Sequence, residues 1–109
     1  MDSEANNIEQ AEAARREKRK QATVSRQIEI DDLRWLMSNK RGRRFVWRLL
    51  DQAGVFKITF NTNAMQMAFN EGNRNYGNRL LAEVTSLCPE RYSEMLKEST
   101  NESDRPNTN

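Results

Sequence analysis

The stretch Ser38-Asn39-Lys40-Arg41-Gly42-Arg43-Arg44-Phe45-Val46-Trp47-Arg48-Leu49-Leu50-Asp51-Gln52-Ala53-Gly54 decides the fold. Phe45, Val46, Leu49, Leu50 and Ala53 recur at the three- and four-residue spacing that gives a helix one apolar face. Ahead of them Ser38-Asn39-Lys40-Arg41-Gly42 reads as a short turn. Behind them Gly54 suits the C′ position, where a left-handed backbone ends a helix. A helix over residues 42–53 is therefore expected. Trp47 falls off its apolar stripe, and a core position or a partner surface would both suit it.

Working upstream, Ile28, Ile30, Leu33, Leu36 and Met37 keep near-helical spacing around Trp35. Ser25 could cap, and Asp31 and Asp32 suit a first turn, so a helix over residues 31–38 is expected. Downstream, Val55-Phe56-Lys57-Ile58-Thr59-Phe60 alternates weakly but has no second strand to pair with. It is expected to be an extended connector that plugs Phe56 and Phe60 into the core.

A long helix should start near Asn61-Thr62-Asn63, all good capping residues, and run to residue 87. Met65, Ala68, Phe69, Tyr76, Leu80, Leu81, Val84 and Leu87 would form its buried face. Gly72 and Gly77 in its middle cost about 1 kcal/mol each against alanine, which points to close helix packing or a bend. Their spacing matches neither familiar phosphate-binding glycine fingerprint. Pro89 suits the first position of a last helix over residues 89–98, with Tyr92, Met95 and Leu96 inward. The polar residues 99–109 should be a disordered tail.

The composition bounds the chemistry. In 109 residues, 36% are hydrophobic, below the roughly 45–50% of ordinary domains, which leaves one small core at most. There is no histidine, which removes Ser-His-Asp and Cys-His catalysis and most zinc sites. Cys88 is the single cysteine, and without a histidine to activate it, it reads as a small packed residue. No apolar run approaches the roughly 20 residues of a membrane span. The polar start Met1-Asp2-Ser3-Glu4 does not fit a secretory signal peptide. No enzyme activity, cofactor or metal is expected.

The net charge of +2 hides an asymmetry. Residues 1–12 contain four acids and no base, whereas residues 13–48 contain 12 Lys and Arg against four acids. The cations form two clusters. Arg15, Arg16, Lys18, Arg19 and Lys20 lie among strong helix formers with no large apolar residue from 9 to 23. That segment is a solvated arm, or one that orders against phosphates or an acidic partner. It has no aromatic residue for base stacking, so a nucleic acid would be met at its backbone.

Lys40, Arg41, Arg43, Arg44 and Arg48 form the second cluster, at the entry to the helix around Phe45. Cations there oppose the helix dipole, so the cluster is an anion site, or a solvated turn pairing with Asp31, Asp32 or Asp51.

The run from Trp35 through Lys40-Arg41-Gly42-Arg43-Arg44-Phe45-Val46-Trp47-Arg48-Leu49-Leu50 to Ala53-Gly54-Val55-Phe56 resembles a family of small proteins of tailed bacteriophages. Phe69-Asn70-Glu71-Gly72-Asn73-Arg74-Asn75-Tyr76-Gly77-Asn78-Arg79-Leu80-Leu81-Ala82-Glu83-Val84 and Cys88-Pro89-Glu90-Arg91-Tyr92 continue the likeness, which covers residues 30–97. Genes of that family lie among head and packaging genes, and its members have no assigned activity. The resemblance thus implies a virion or assembly role, in the virion and, during assembly, the host cytoplasm. It makes the basic turn and the segment around Arg74 the leading suspects.

The expected protein is all-α: a bundle of three to four helices over residues 26–98, a charged helical arm over 1–25, and a disordered tail over 99–109. It should be a non-enzymatic virion or assembly protein docking on head, portal or internal core in several copies of a symmetric assembly, with contact to packaged DNA. The alternative is a nucleic-acid-binding accessory factor for packaging or early infection. The candidate binding residues are Arg15, Arg16, Lys18, Arg19, Lys20, Lys40, Arg41, Arg43, Arg44, Trp47, Arg48 and Arg74.

Overall fold

The computed structural model describes residues 3–57 and 63–103, which form four helices and no strand. They are α1 (Ser3–Met37), α2 (Lys40–Gln52), α3 (Ala64–Leu87) and α4 (Pro89–Ser103). The all-α expectation holds among the described residues. The chain divides into two compact units, Met1–Asp32 and Leu33–Asn109.

The first unit is a single helical segment. The charged arm expected over residues 1–25 and the helix expected over residues 31–38 belong to one continuous helix, α1. No glycine or proline falls between Ser3 and Met37, and alanine, glutamate, lysine, arginine and glutamine keep the helix propensity high. Exposed side chains support it locally, with Gln27 donating to Asp31 at 2.9 Å and Arg26 paired with Glu29 at 3.2 Å.

In the second unit, Met37, Val46, Leu50, Val84, Cys88 and Met95 form the buried core. Leu33, Leu36, Trp47, Val55, Leu80, Leu81, Leu87 and Tyr92 pack against it. α2 contacts both α3 and α4, which also contact each other.

α2 begins two residues before expectation because Asn39 caps it, accepting from the Gly42 amide at 2.8 Å. Its end follows the sequence. Gly54 has φ 80°, its amide donates to the Asp51 carbonyl, and the Val55 amide reaches the Leu50 carbonyl. These two bonds are the Schellman pattern, and Val55 turns back onto the core.

The buried stripe of α2 differs from expectation. Gly42, Arg43, Val46 and Leu50 point inward, while Phe45 and Leu49 are exposed. The apolar positions of α2 span a wider arc than one contact face can cover. Placing Arg43 inside selects Val46 and Leu50 and leaves Phe45 and Leu49 outside.

α3 starts where its caps predict, with Asn63 accepting from the Gln66 amide at 3.1 Å. It is continuous through both glycines. Gly77 is buried, and a Cβ there would lie 2.6 Å from Val55 Cγ2 and 2.7 Å from Ala53 Cβ, so close packing explains it. Gly72 faces open space. The buried face is shorter than expected, because Met65, Phe69 and Tyr76 are exposed and inward packing is confined to the C-terminal half of α3.

Cys88 ends α3 by donating to the Val84 carbonyl and opens α4 by accepting from the Tyr92 amide at 3.1 Å, beside Pro89. α4 outruns its expected end, since residues 99–103 are helical. The rest of the expected tail, together with Ile58, Thr59, Phe60, Asn61 and Thr62, lies outside the described residues. The described part of the expected connector is a turn rather than an extended segment. Phe56 is 43% exposed rather than plugged into the core, its ring stacked on Trp47 with centroids 6.4 Å apart.

Candidate docking surface

The first turn of α2 holds Lys40, Arg41 and Arg43 and contains no acidic residue of its own. The Asn39 side chain holds that turn, accepting from Gly42 and donating to the Trp35 and Leu36 carbonyls at 3.3 Å. Gly42 is required here, because a Cβ would fall 1.8 Å from the Leu36 carbonyl oxygen. The chain therefore turns from α1 into α2 at contact distance, and the cations that follow are fixed in direction.

Arg43 is directed inward. Its side chain is 8% exposed, and its guanidinium donates to both Glu98 carboxylate oxygens, the shortest contact being 2.7 Å from Nη2. Nη1 donates to the Met37 carbonyl at 2.9 Å, one of the acceptors left over at the end of α1, and lies 3.4 Å from Glu94. The hydrogen bond to Glu98 raises the arginine pKa; burial opposes this, and the charges of Glu98 and Glu94 add to it. One side chain thus ties together the end of α1, the start of α2 and α4. Arg43 belongs to the framework rather than to an exposed basic surface.

Glu98 and Glu94, four residues apart on α4 beside Met95, are the partners that sequence reasoning missed. Their spacing next to a core methionine was the available signal. Arg43 pairs with these rather than with Asp31, Asp32 or Asp51, the last of which lies 4.0 Å from Lys57.

With Arg43 withdrawn, the outer face of α2 presents Lys40, Arg41, Arg44, Phe45, Arg48 and Leu49, all exposed. Arg48 lies over the Phe45 ring at 5.7 Å, a cation–π contact. Trp47 is half-buried on the core and stacked on Phe56, which answers the question left open by the sequence. Trp35 is the tryptophan that faces out, 71% exposed. Its position off the Leu33, Leu36 and Met37 line was the sign of this.

Arg74 sits half-buried on α3, 3.7 Å from Glu71, with its Nε buried and lacking a hydrogen-bond partner. In the first unit, Arg15, Arg16, Lys18, Arg19 and Lys20 are all exposed on α1. The helix makes Arg15 and Arg19 neighbours, and likewise Arg16 and Lys20. The candidate residues therefore fall into three groups: the α2 face, the α1 cluster, and side chains held within the fold.

Burial raises the pKa of the Cys88 thiol, which suits packing rather than nucleophilic chemistry. Among the described residues no helix is long and apolar enough to cross a membrane, and no group of acidic or cysteine side chains is placed to hold a metal ion.

The Bbp19-like phage protein family model matches residues 33–97, more than half of the chain, and the chain belongs to that family. The match opens at Leu33, where the second compact unit opens. No curated protein and no solved structure matches the chain significantly.

Proposed function

We propose that this Bbp19-like phage protein is a non-enzymatic virion or assembly component that docks on a larger phage structural protein of the head, portal or internal core. The docking element is the outer face of α2. The observation behind it is the exposure of Phe45 and Leu49 among Arg41, Arg44 and Arg48, on a helix whose opposite side is locked into the core. Arginine and aromatic side chains held on a rigid helix make favourable interface anchors, since little conformational freedom remains to be lost on binding. That face lies within the family-matched region.

The deciding experiment is quantitative mass spectrometry of purified virions. Fixed stoichiometry with head, portal or core proteins is the expected result, and absence from virions removes the proposal.

Contact with packaged DNA is assigned to the α1 cluster. Its support is the exposed set Arg15, Arg16, Lys18, Arg19 and Lys20 on one continuous helix. Such a helix meets phosphates without reading bases.

A further inference from the structure

We propose that the N-terminal half of α3 is a self-association surface, pairing antiparallel with α3 of a second copy of this chain. Met65, Phe69 and Tyr76 are 84%, 65% and 73% exposed, although the sequence pattern assigns them to a buried face. With Gly72 they follow a four-three-four spacing, which is the seam of a helix pair. A Cβ on Gly72 would meet nothing within 4 Å, so that glycine serves no contact inside the fold, whereas Gly77 does.

The seam complements itself. In an antiparallel pair with its two-fold axis between residues 69 and 72, Phe69 of each copy lies over Gly72 of the other. Met65 then meets the second copy's Tyr76, a sulfur–aromatic contact. The missing side chain at 72 provides the room that the ring at 69 needs, and the relation holds in both directions, as a two-fold interface requires.

The flanks point to the same occupant. Gln66 and Asn73 line one side of the seam, Ala68 and Asn75 the other, and none is charged. Across the axis Gln66 falls beside Asn73 of the second copy, and side-chain amides both donate and accept, so identical faces are compatible. In a chain with 31% charged residues, Glu71 is the one charge between Ala64 and Asn73, and it lies off the seam, near Arg74. Nucleic acid would require cations here, and a charged protein partner would require countercharges.

The surface is small. Two aromatic rings and a methionine offer roughly 400 Å² per copy, against about 800 Å² for a standard interface. The dimer should therefore be weak alone and effective at the high local concentration of a multi-copy assembly. The inference goes beyond the docking proposal, since it concerns the purified chain with no phage component present.

Sedimentation equilibrium of the full chain between about 10 µM and 1 mM tests it, a range in which a weak dimer is populated. The expected mean mass rises from one chain towards two. Phe69→Gln and Gly72→Gln should each weaken association at least roughly tenfold, and Gly72→Gln should melt no lower than wild type. Oxidation of a mixture of Met65→Cys and Tyr76→Cys chains should favour the mixed disulfide. A wild type that stays monomeric throughout overturns the inference, as does a Gly72→Gln variant that dimerises as tightly as wild type.

Discussion

Arg43 and Glu98, 55 residues apart in the chain, meet as a two-point ion pair with contacts of 2.7 and 3.0 Å, and the same guanidinium caps the Met37 carbonyl. The pair fixes where α4 lies against the α1–α2 turn. It also explains why an arginine occupies a position that periodicity would give to a core residue.

Removing either partner should expose the value of that arrangement. Arg43→Ala should cost about 3 kcal/mol and Glu98→Gln about 1–2 kcal/mol, since the first removes a buried charge and its cap and the second keeps the shape. In thermal melts of a domain this size, each kcal/mol lowers Tm by roughly 4–8 °C. A double-mutant cycle with a coupling near zero would show the pair to be incidental. The Arg43 pKa is raised in the fold, so its stabilisation is complete below the ordinary arginine range and is lost only as pH climbs through the higher folded value. The Arg43→Ala deficit should therefore not fade through deprotonation of the arginine between about pH 6 and 10.

The two α3 glycines should respond oppositely to one methyl group. Gly77→Ala drives a Cβ into Val55 and Ala53 and should cost about 1–3 kcal/mol despite better helix propensity. Gly72→Ala meets open space and should gain about 0.5–1 kcal/mol. Urea titrations of both variants measure this, and equal signs would contradict the packing.

Cys88 should behave as an inert core residue. Its thiol pKa is raised by burial, so the contribution to stability is whole below the ordinary value of 9.0 and declines as pH rises through the higher folded value. Native protein should react with a thiol reagent at least roughly tenfold more slowly than urea-unfolded protein, because reactivity follows the thiolate and its access. Equal rates would place the sulfur at the surface.

Substitutions on the outer face of α2 should separate docking from folding. The triple variant Arg41→Ala, Phe45→Ala, Arg48→Ala should lose no more than about 1 kcal/mol of stability, as these side chains are exposed. In a phage complementation assay it should be depleted from virions. Normal incorporation would move the docking surface elsewhere.

For the arm, a gel shift of duplex DNA titrated with salt should show weak binding that falls as salt rises, with a log–log slope no steeper than about −4.5 for five cations. Alanine at Arg15, Arg16, Lys18, Arg19 and Lys20 together should abolish the shift. A flat salt response would remove the arm from any phosphate contact.

The sequence alone determined whatever depends on near neighbours. Asn63 caps α3, Gly54 ends α2 and Pro89 opens α4, because a cap or a breaker acts within a turn or so of its own position. The family likeness was legible for the same reason, as ordered blocks of residues. Only the tertiary structure decided which side of each helix is used. Apolar arcs on α2 and α3 are wider than one contact face, so periodicity could not choose Val46 and Leu50 over Phe45 and Leu49, or see that Met65, Phe69 and Tyr76 stay outside. Nor could spacing along the chain reveal that Arg43 meets Glu98, because that ion pair exists only once α4 has folded back against α2. The basic cluster was visible as charge, and packing divided it into one internal strut and an outward face.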